Sequence, residues 1–281
     1  MHASTYTFNR PVYLEPHILR LRPRSDGSQR LIRYDLTIEP KPAVLAECLD
    51  LEGNSMTHVW FEGLTDSLRI STQSAVDTLR ENPFDYIVSD PAADRLPMEY
   101  AGELRPSLEP YRSRDDTDDA VAVLARSIAD EVGKRPIPFL AALNRRIFQM
   151  CEVAIREEGE PQPPGTTLAV RRGACRDLAV LFMDACRSLG LGARFVSGYH
   201  EGDPDQTRRY LHAWAEVYLP GGGWRGYDPT LGLAVADRHV AVAAGRLPGF
   251  ATPMVGTFRG TGVASRLQVD IRVRVSDKAA P

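Results

Sequence analysis

The sequence predicts an α+β chain in which an N-terminal antiparallel β-sandwich precedes a core of helices packed on an antiparallel sheet. Three observations carry this prediction. Residues 5–85 fall into short strand-like runs separated by turn clusters at roughly ten-residue spacing. Residues 118–190 hold apolar residues at helical spacing between start and stop signals. Beyond them, Leu211–Leu219 and Arg266–Val275 alternate in period two, the pattern of half-buried strands.

In chain order, strands are expected at Pro11–Leu21, Leu31–Glu39, Ala43–Leu49, His58–Phe61 and Ser67–Val76. Turns fall at Ser25–Ser28, Glu39–Pro42 and Glu52–Ser55. Residues 82–117 are rich in Pro, Asp and Arg without clear period and read as an ordered connector with a short helical turn. A helix is expected over Asp118–Val132, capped by Asp116 or Thr117 and stopped by Gly133. A second is expected over Pro138–Glu158, with Leu140, Leu143, Ile147, Met150, Cys151 and Ala154 along one side. Pro161–Gly165 makes a rigid loop, and a third helix begins at Cys175, with Leu178, Phe182, Ala185 and Leu189 on one face and Gly190 as its stop. Ala193–His200 is a strand, and Leu211–Leu219 returns through Pro220–Gly223 to Trp224–Pro229 as a hairpin. Arg266–Val275 has two places open to it, in the main sheet or closed onto the N-terminal strands. The domain reading is residues 1–85 as sandwich, 86–117 as connector and 118–281 as core with C-terminal strands.

Composition narrows the function classes. The 281 residues are 43% hydrophobic and 25% charged, ordinary for a globular chain. Net charge is −3, with no global push toward nucleic acid or an anionic membrane. The cluster Arg20, Arg22, Arg24, Arg30 and Arg33 has no aromatic stacking platform beside it and reads as a solvated strand face. No apolar run reaches the ~20 residues of a membrane helix, and the start lacks a secretory pattern, so a cytoplasmic location is expected. The four cysteines do not form a disulfide framework: Cys175 and Cys186 share a helix but lie about 16 Å apart along it. Cys48 and Cys151 read as buried free thiols. His58, His200 and His239 show no ligand spacing, and no metal is expected.

The chemistry gathers around Cys175. At a helix start, after the small pair Gly173-Ala174, free N–H groups and the helix dipole favour the thiolate, which is the nucleophilic form. Downstream, His212 opens the alternating strand, and folding the hairpin about its glycines brings Asp228 back near it. Cys, His and Asp in that order are a nucleophile, a general base and an orienting carboxylate.

The stretches G-A-C-R-D, F-V-S-G-Y and H-A-W-A-E-V-Y-L-P-G-G-G-W-R-G-Y-D-P-T resemble the transglutaminase-like superfamily. Residues 13–24 resemble the N-terminal region of its bacterial branch, and His239–Arg246 with Phe258–Gly260 resemble its C-terminal segment. The resemblance implies a papain-like core with catalytic Cys175, His212 and Asp228, working through a thioester. It implies hydrolysis of a peptide or isopeptide amide, with amine transfer or a silent binding module as the alternatives. The calcium sites of animal relatives have no counterpart, so no cofactor is expected. Arg176, Leu178 and Val180 depart from the usual pattern beside the nucleophile, which bears on substrate choice.

Around the triad, Gly173 is expected to let the backbone approach the substrate carbonyl and Trp214 to exclude water. The Cys175 N–H is one oxyanion donor; Gln149, Trp214 and Tyr199 are the candidates for a second. Asp177 reads as structural, Tyr199 and Tyr227 as lining or packing, and Arg208 and Arg209 as solvated loop charges or contacts to an acidic substrate. The expected partner is a peptide or protein substrate, with no nucleic acid and no membrane; self-association and a partner enzyme acting on peptides stay open.

Overall fold

The computed structural model describes residues 1–88, 91–114, 119–156, 159–202 and 209–276. It is an α+β structure. Six strands open it: β1 (His2–Leu14), β2 (His17–Leu19), β3 (Gln29–Glu39), β4 (Val44–Leu49), β5 (Ser55–Trp60) and β6 (Leu64–Thr78). They sort into two antiparallel sheets, one built on β1-β6-β3 and the other on β2-β5-β4. Alternation gives each sheet one apolar face, and the two faces meet over Phe8, Val12, Leu14, Leu19, Ile38, Val59, Leu68 and Ile70. The strand β1 begins nine residues earlier than its sequence pattern suggested, because the polar run His2–Arg10 is held by backbone pairing to β6 rather than by an apolar stripe.

The helices follow as α1 (Leu104–Arg112), α2 (Asp119–Glu131) and α3 (Pro136–Met150). The segment read as a connector sends Leu96, Met98, Tyr100 and Leu108 into the main core. The helix expected to run to Glu158 ends at Met150, where Cys151 turns extended. The chain then forms β7 (Glu152–Val153), a parallel pair with β8 (Arg172–Gly173) just before Cys175. Between them lies α4 (Pro164–Val170), a short helix where a loop was expected. Pro164 at its first position has φ preset, and Arg171 in the left-handed region ends it. The proposed caps Asp116 and Thr117 lie outside the described residues.

The helix α5 (Cys175–Ser188) is buried along Leu178, Leu181, Phe182 and Ala185 against the central sheet. Its exit needs glycine: Gly190 has φ +78°, and a Cβ there would meet the Met98 carbonyl at 2.5 Å. The sheet runs β12 (Leu233–Ala234), β11 (Gly223–Asp228), β10 (His212–Leu219), β9 (Ala193–His200) and β13 (His239–Gly245), all antiparallel. On β10, Ala213, Ala215, Val217 and Leu219 face the α5 core, while Trp214 packs with Val196, Ala241 and Ala244 in a smaller cluster. No helix among the described residues is long and apolar enough to cross a membrane.

The C-terminal strands take the second of their two open places. β14 (Met254–Val255) pairs with β2, while β15 (Phe258–Arg259) and β16 (Ser265–Ile271) pair with β1. The chain thus returns to the sheet in which it began. Side-chain amides join the two halves. Gln29 donates to the Ala241 carbonyl at 2.9 Å and accepts from the Ala241 N–H at 2.7 Å. Asn54 does the same at Ala244, at 2.7 and 2.8 Å. Each amide presents a carbonyl and an N–H as a paired strand would, so the outer edge of β13 is closed without a further strand.

Two arginines of the cluster, Arg20 and Arg24, are spent on this assembly. Arg20 bonds Asp50 and the Thr252 carbonyl, and Arg24 bonds Asn54 at 2.7 Å. Arg30 and Arg33 pair with Asp77 and Asp35, and Arg22 lies over the Tyr34 ring. Arg20 is 9% exposed, so part of the expected solvated face is interface. Among the cysteines, Cys151 and Cys186 are buried and all four are free, but Cys48 is exposed, because β4 is an edge strand exposed along all six residues.

Asn54→Ala is expected to strand the Ala244 N–H and carbonyl and lower stability by about 2–4 kcal/mol. Chemical denaturation measures this, with Leu45→Ala on exposed β4 as a near-neutral comparison.

Candidate active site

Four side chains meet because four strands end together. His200 is the last residue of β9, His212 the first of β10, Asp228 the last of β11 and His239 the first of β13. In an antiparallel sheet these ends lie at one border. His212 pairs with Gly198, His239 pairs with His200, and Asp228 falls one step beyond the Ala215–Tyr227 pair. The start of α5 supplies Cys175 to the same place, where its thiol is near enough to help raise the proton affinity of His212. The structure therefore brings Cys175, His212 and Asp228 together.

Asp228 is wholly buried and its lone pairs are used from several directions. Oδ2 lies 2.6 Å from His212 Nε2 and 3.1 Å from His239 Nε2. Oδ1 accepts from the N–H of Thr230 at 2.9 Å and of Leu231 at 3.3 Å. Burial acts to raise its carboxyl pKa, but the His212 charge and hydrogen bond, with help from His239, hold it well below the usual range. An ionised carboxylate only accepts, so both histidines carry a proton on Nε2. That leaves Nδ1 of His212 for Cys175. Burial also opposes charge on His212, yet Asp228 and then Cys175 outweigh it and push its pKa up to about 10.

His200 behaves oppositely. Burial, then the nearby His239 and His212, hold its pKa down to about 4, and its Nδ1 accepts from the Gly202 N–H. Neither His200 nor His239 has a local spacing signal, and they look scattered in sequence. Only the strand register reveals that they share a border with His212. His58 is elsewhere, stacked on Trp60 in β5. His212, Asp228 and His239 offer a donor set that a divalent transition metal accepts, within 4.8 Å of one another. At 2.6 and 3.1 Å, however, both nitrogens are already in hydrogen-bond contact with the oxygen, with no space for an ion between them.

The surrounding candidates separate. Trp214 is 1% exposed and lies against His212 and His239, with ring centroids 6.3 and 5.2 Å apart, so it walls the pair. Tyr199 points to the N-terminal strand, where its hydroxyl bonds His2 Nδ1 at 2.8 Å; alternation along β9 sends it away from His200. Gln149 lies on the exposed side of α3 with Ala141, Ala142, Arg145 and Arg146. Tyr227 stacks on Phe182 in the core. Arg209 lies against Gly202, and Arg208 is outside the described residues.

The absent side chain of Gly173 makes room for Asp177: a Cβ there would fall 2.8 Å from Asp177 Cβ. Asp177 is fully buried and ties the helix that begins at Cys175 to what precedes it. Its Oδ2 accepts from the Ala174 N–H at 2.7 Å, and its Oδ1 accepts from Arg156 at 2.6 Å and the Gln162 N–H at 2.8 Å. Arg176 bonds the Arg156 carbonyl at 2.7 Å and fastens the same loop. Cys175, as the first helical residue, has an N–H with no acceptor inside the helix.

Helices behind a cysteine, facing a strand-end histidine and carboxylate, define a cysteine-type enzyme family. The bacterial transglutaminase-like N-terminal region matches residues 1–77, and the transglutaminase-like superfamily core matches residues 126–229. The two matches span more than half of the chain, which belongs to the transglutaminase-like superfamily. An uncharacterized protein of Mycobacterium tuberculosis is 29% identical over 274 residues, covering 90% of this chain and 84% of its own. One from Mycobacterium leprae is 26% identical over 302 residues, covering 97% and 96%. A crystal structure from Cytophaga hutchinsonii, solved as a candidate cysteine protease, shares the fold with a TM-score of 0.68 at 22% identity. It covers 98% of this chain and 91% of its own.

The ion pair makes a pH prediction. The Asp228 contribution to stability is present above 3.8 and lost as pH falls through its lowered value. The His212 contribution is complete below 6.5 and lost as pH rises through about 10. In Asp228→Asn, burial opposes the charge with less help, so an NMR titration of the His212 ring should give a pKa near 6.5 or lower instead of about 10. An unchanged value would show that another group holds the charge.

Proposed function

We propose that the protein is a cysteine-dependent acyl-transfer enzyme that hydrolyses peptide or isopeptide amides through Cys175, His212 and Asp228. The observation that carries this reading is the 2.6 Å bond from His212 to a buried, ionised Asp228, with Cys175 at the helix start beside His212. In that arrangement His212 can take the thiol proton, and Asp228 fixes the ring and its tautomer.

The Cys175 thiolate attacks the amide carbon, forming the C–S bond while the carbonyl electron pair moves to oxygen. The Cys175 N–H at the helix start is positioned to donate to that oxygen. As the carbonyl re-forms, the C–N bond breaks and His212 passes its proton to the amine, leaving a thioester. Water then gives a proton to His212 and its hydroxide to the acyl carbon. The C–S bond breaks, the acid departs, and the thiolate–imidazolium pair is restored. Trp214 keeps bulk water from the pair. Water as the acceptor in place of an amine is supported by the fold likeness to the Cytophaga protein.

A panel of peptide and isopeptide amides, incubated with excess primary amine and followed by mass spectrometry, tests this. Hydrolysed acid is expected as the main product, with Cys175→Ala reducing turnover at least about 10³-fold. Amine adducts as the main product would make the protein a transferase. An inert thiol and no product across the panel would point to a binding module.

A further inference from the structure

We infer that His239 is a positioning residue for this site: as a second donor on Asp228 Oδ2, it fixes the oxygen to which His212 is bonded. The inference rests on the reading of Cys175, His212 and Asp228 as the reacting set, and adds a residue outside their three motifs.

The geometry is specific. A carboxylate held on Oδ1 by backbone N–H groups and on Oδ2 by one imidazole can still rock about its Cβ–Cγ bond. Each swing would move the oxygen that orients His212. A second donor at 3.1 Å on the same oxygen restrains that motion. His239 is itself immobilised: it is 5% exposed, edge-on to Trp214 at 5.2 Å, and tilted against His200 at 4.6 Å. Its strand is clamped on the far side by Gln29 and Asn54.

What separates this from packing is the other ring nitrogen. His239 Nδ1 is buried with no hydrogen-bond partner among the described residues. Leaving a buried polar atom unmet costs about 1–3 kcal/mol, which an apolar ring of the same size would avoid. The structure carries that cost while Nε2 addresses Asp228. The ionisable groups facing His239 are His200 from β9, His212 from β10 and Asp228 from β11; the adjacent Arg238 is engaged with Glu201 and Asp237.

The test follows the alkylation rate of Cys175 against pH by intact mass, in a Cys48→Ser background that removes the exposed competing thiol. Four proteins are compared: the parent, His212→Ala, His239→Ala and His239→Gln, each with its thermal midpoint. The parent should show two inflections, thiolate formation at low pH and loss of the His212 proton at high pH. His239→Ala should bring the upper inflection down by about one pH unit, a tenfold change in the imidazolium equilibrium. His239→Gln places an amide N–H where Nε2 was and should restore most of it. A parental profile in His239→Ala overturns the positioning role alone. A simple free-thiol titration in both the parent and His212→Ala overturns the reading of the site and this inference with it. Should the alanine variant fail to fold, a glutamine variant that lacks the upper inflection and follows the profile of His212→Ala overturns the role. Nitrogen-15 NMR of the parent gives the tautomer directly: a proton on Nε2 of His239 is required, and one on Nδ1 refutes the proposal.

Discussion

A carboxylate at zero exposure is a heavy demand on any fold, because charge leaves water only where donors replace it. Asp228 meets the demand with donors from β10 and β13 and from the turn that follows its own strand. The two imidazoles are within reach only when the sheet has the order β11-β10-β9-β13 and the strands end at one border. Correct sheet assembly is therefore a condition for burying this charge, and the buried charge in turn raises the proton affinity of His212. Strand order, charge burial and the state of the imidazole are one linked problem.

The helix that begins at Cys175 is held by a second carboxylate with a different job. Asp177 binds the N–H preceding Cys175 and two points on the loop before α4. It sets where the helix begins, and so where the sulfur sits. Gly173 is small because Asp177 fills the space its side chain would need. Chemistry and framework thus use the same residue type at two places, separated by what each oxygen accepts.

Much of this was legible in the sequence. The nucleophile's helix, the His212 hairpin and the return of Asp228 follow from local periodicity and a glycine turn, which need no knowledge of distant contacts. What stayed hidden depended on distant contacts. His200 and His239 lie 39 positions apart, and only the β9–β13 register makes them neighbours. Tyr199 looked like a site residue from its motif, but its side of β9 faces His2, nearly two hundred residues earlier. The helix α4 was invisible because Pro, Gly and Thr are weak helix formers, and packing on α5 decides the matter. Arg20 and Arg24 looked like surface charge because their partners, Asp50 and Asn54, belong to other segments.

The return of the C-terminal strands has a consequence for how the chain is made. Strand β1 lies between β6 and β16, and His2 pairs with both Thr72 and Ile271. The β6 partner lies 70 positions away and the β16 partner 269, so β6 is available long before β16 is made. For that interval the N-terminal sheet has an open flank, and Gln29 and Asn54 wait for the strand they are to cap. Loss of β16 would leave the same flank open for good. Strand β16 is thus what converts a half-finished sheet into one with no adhesive edge at β1.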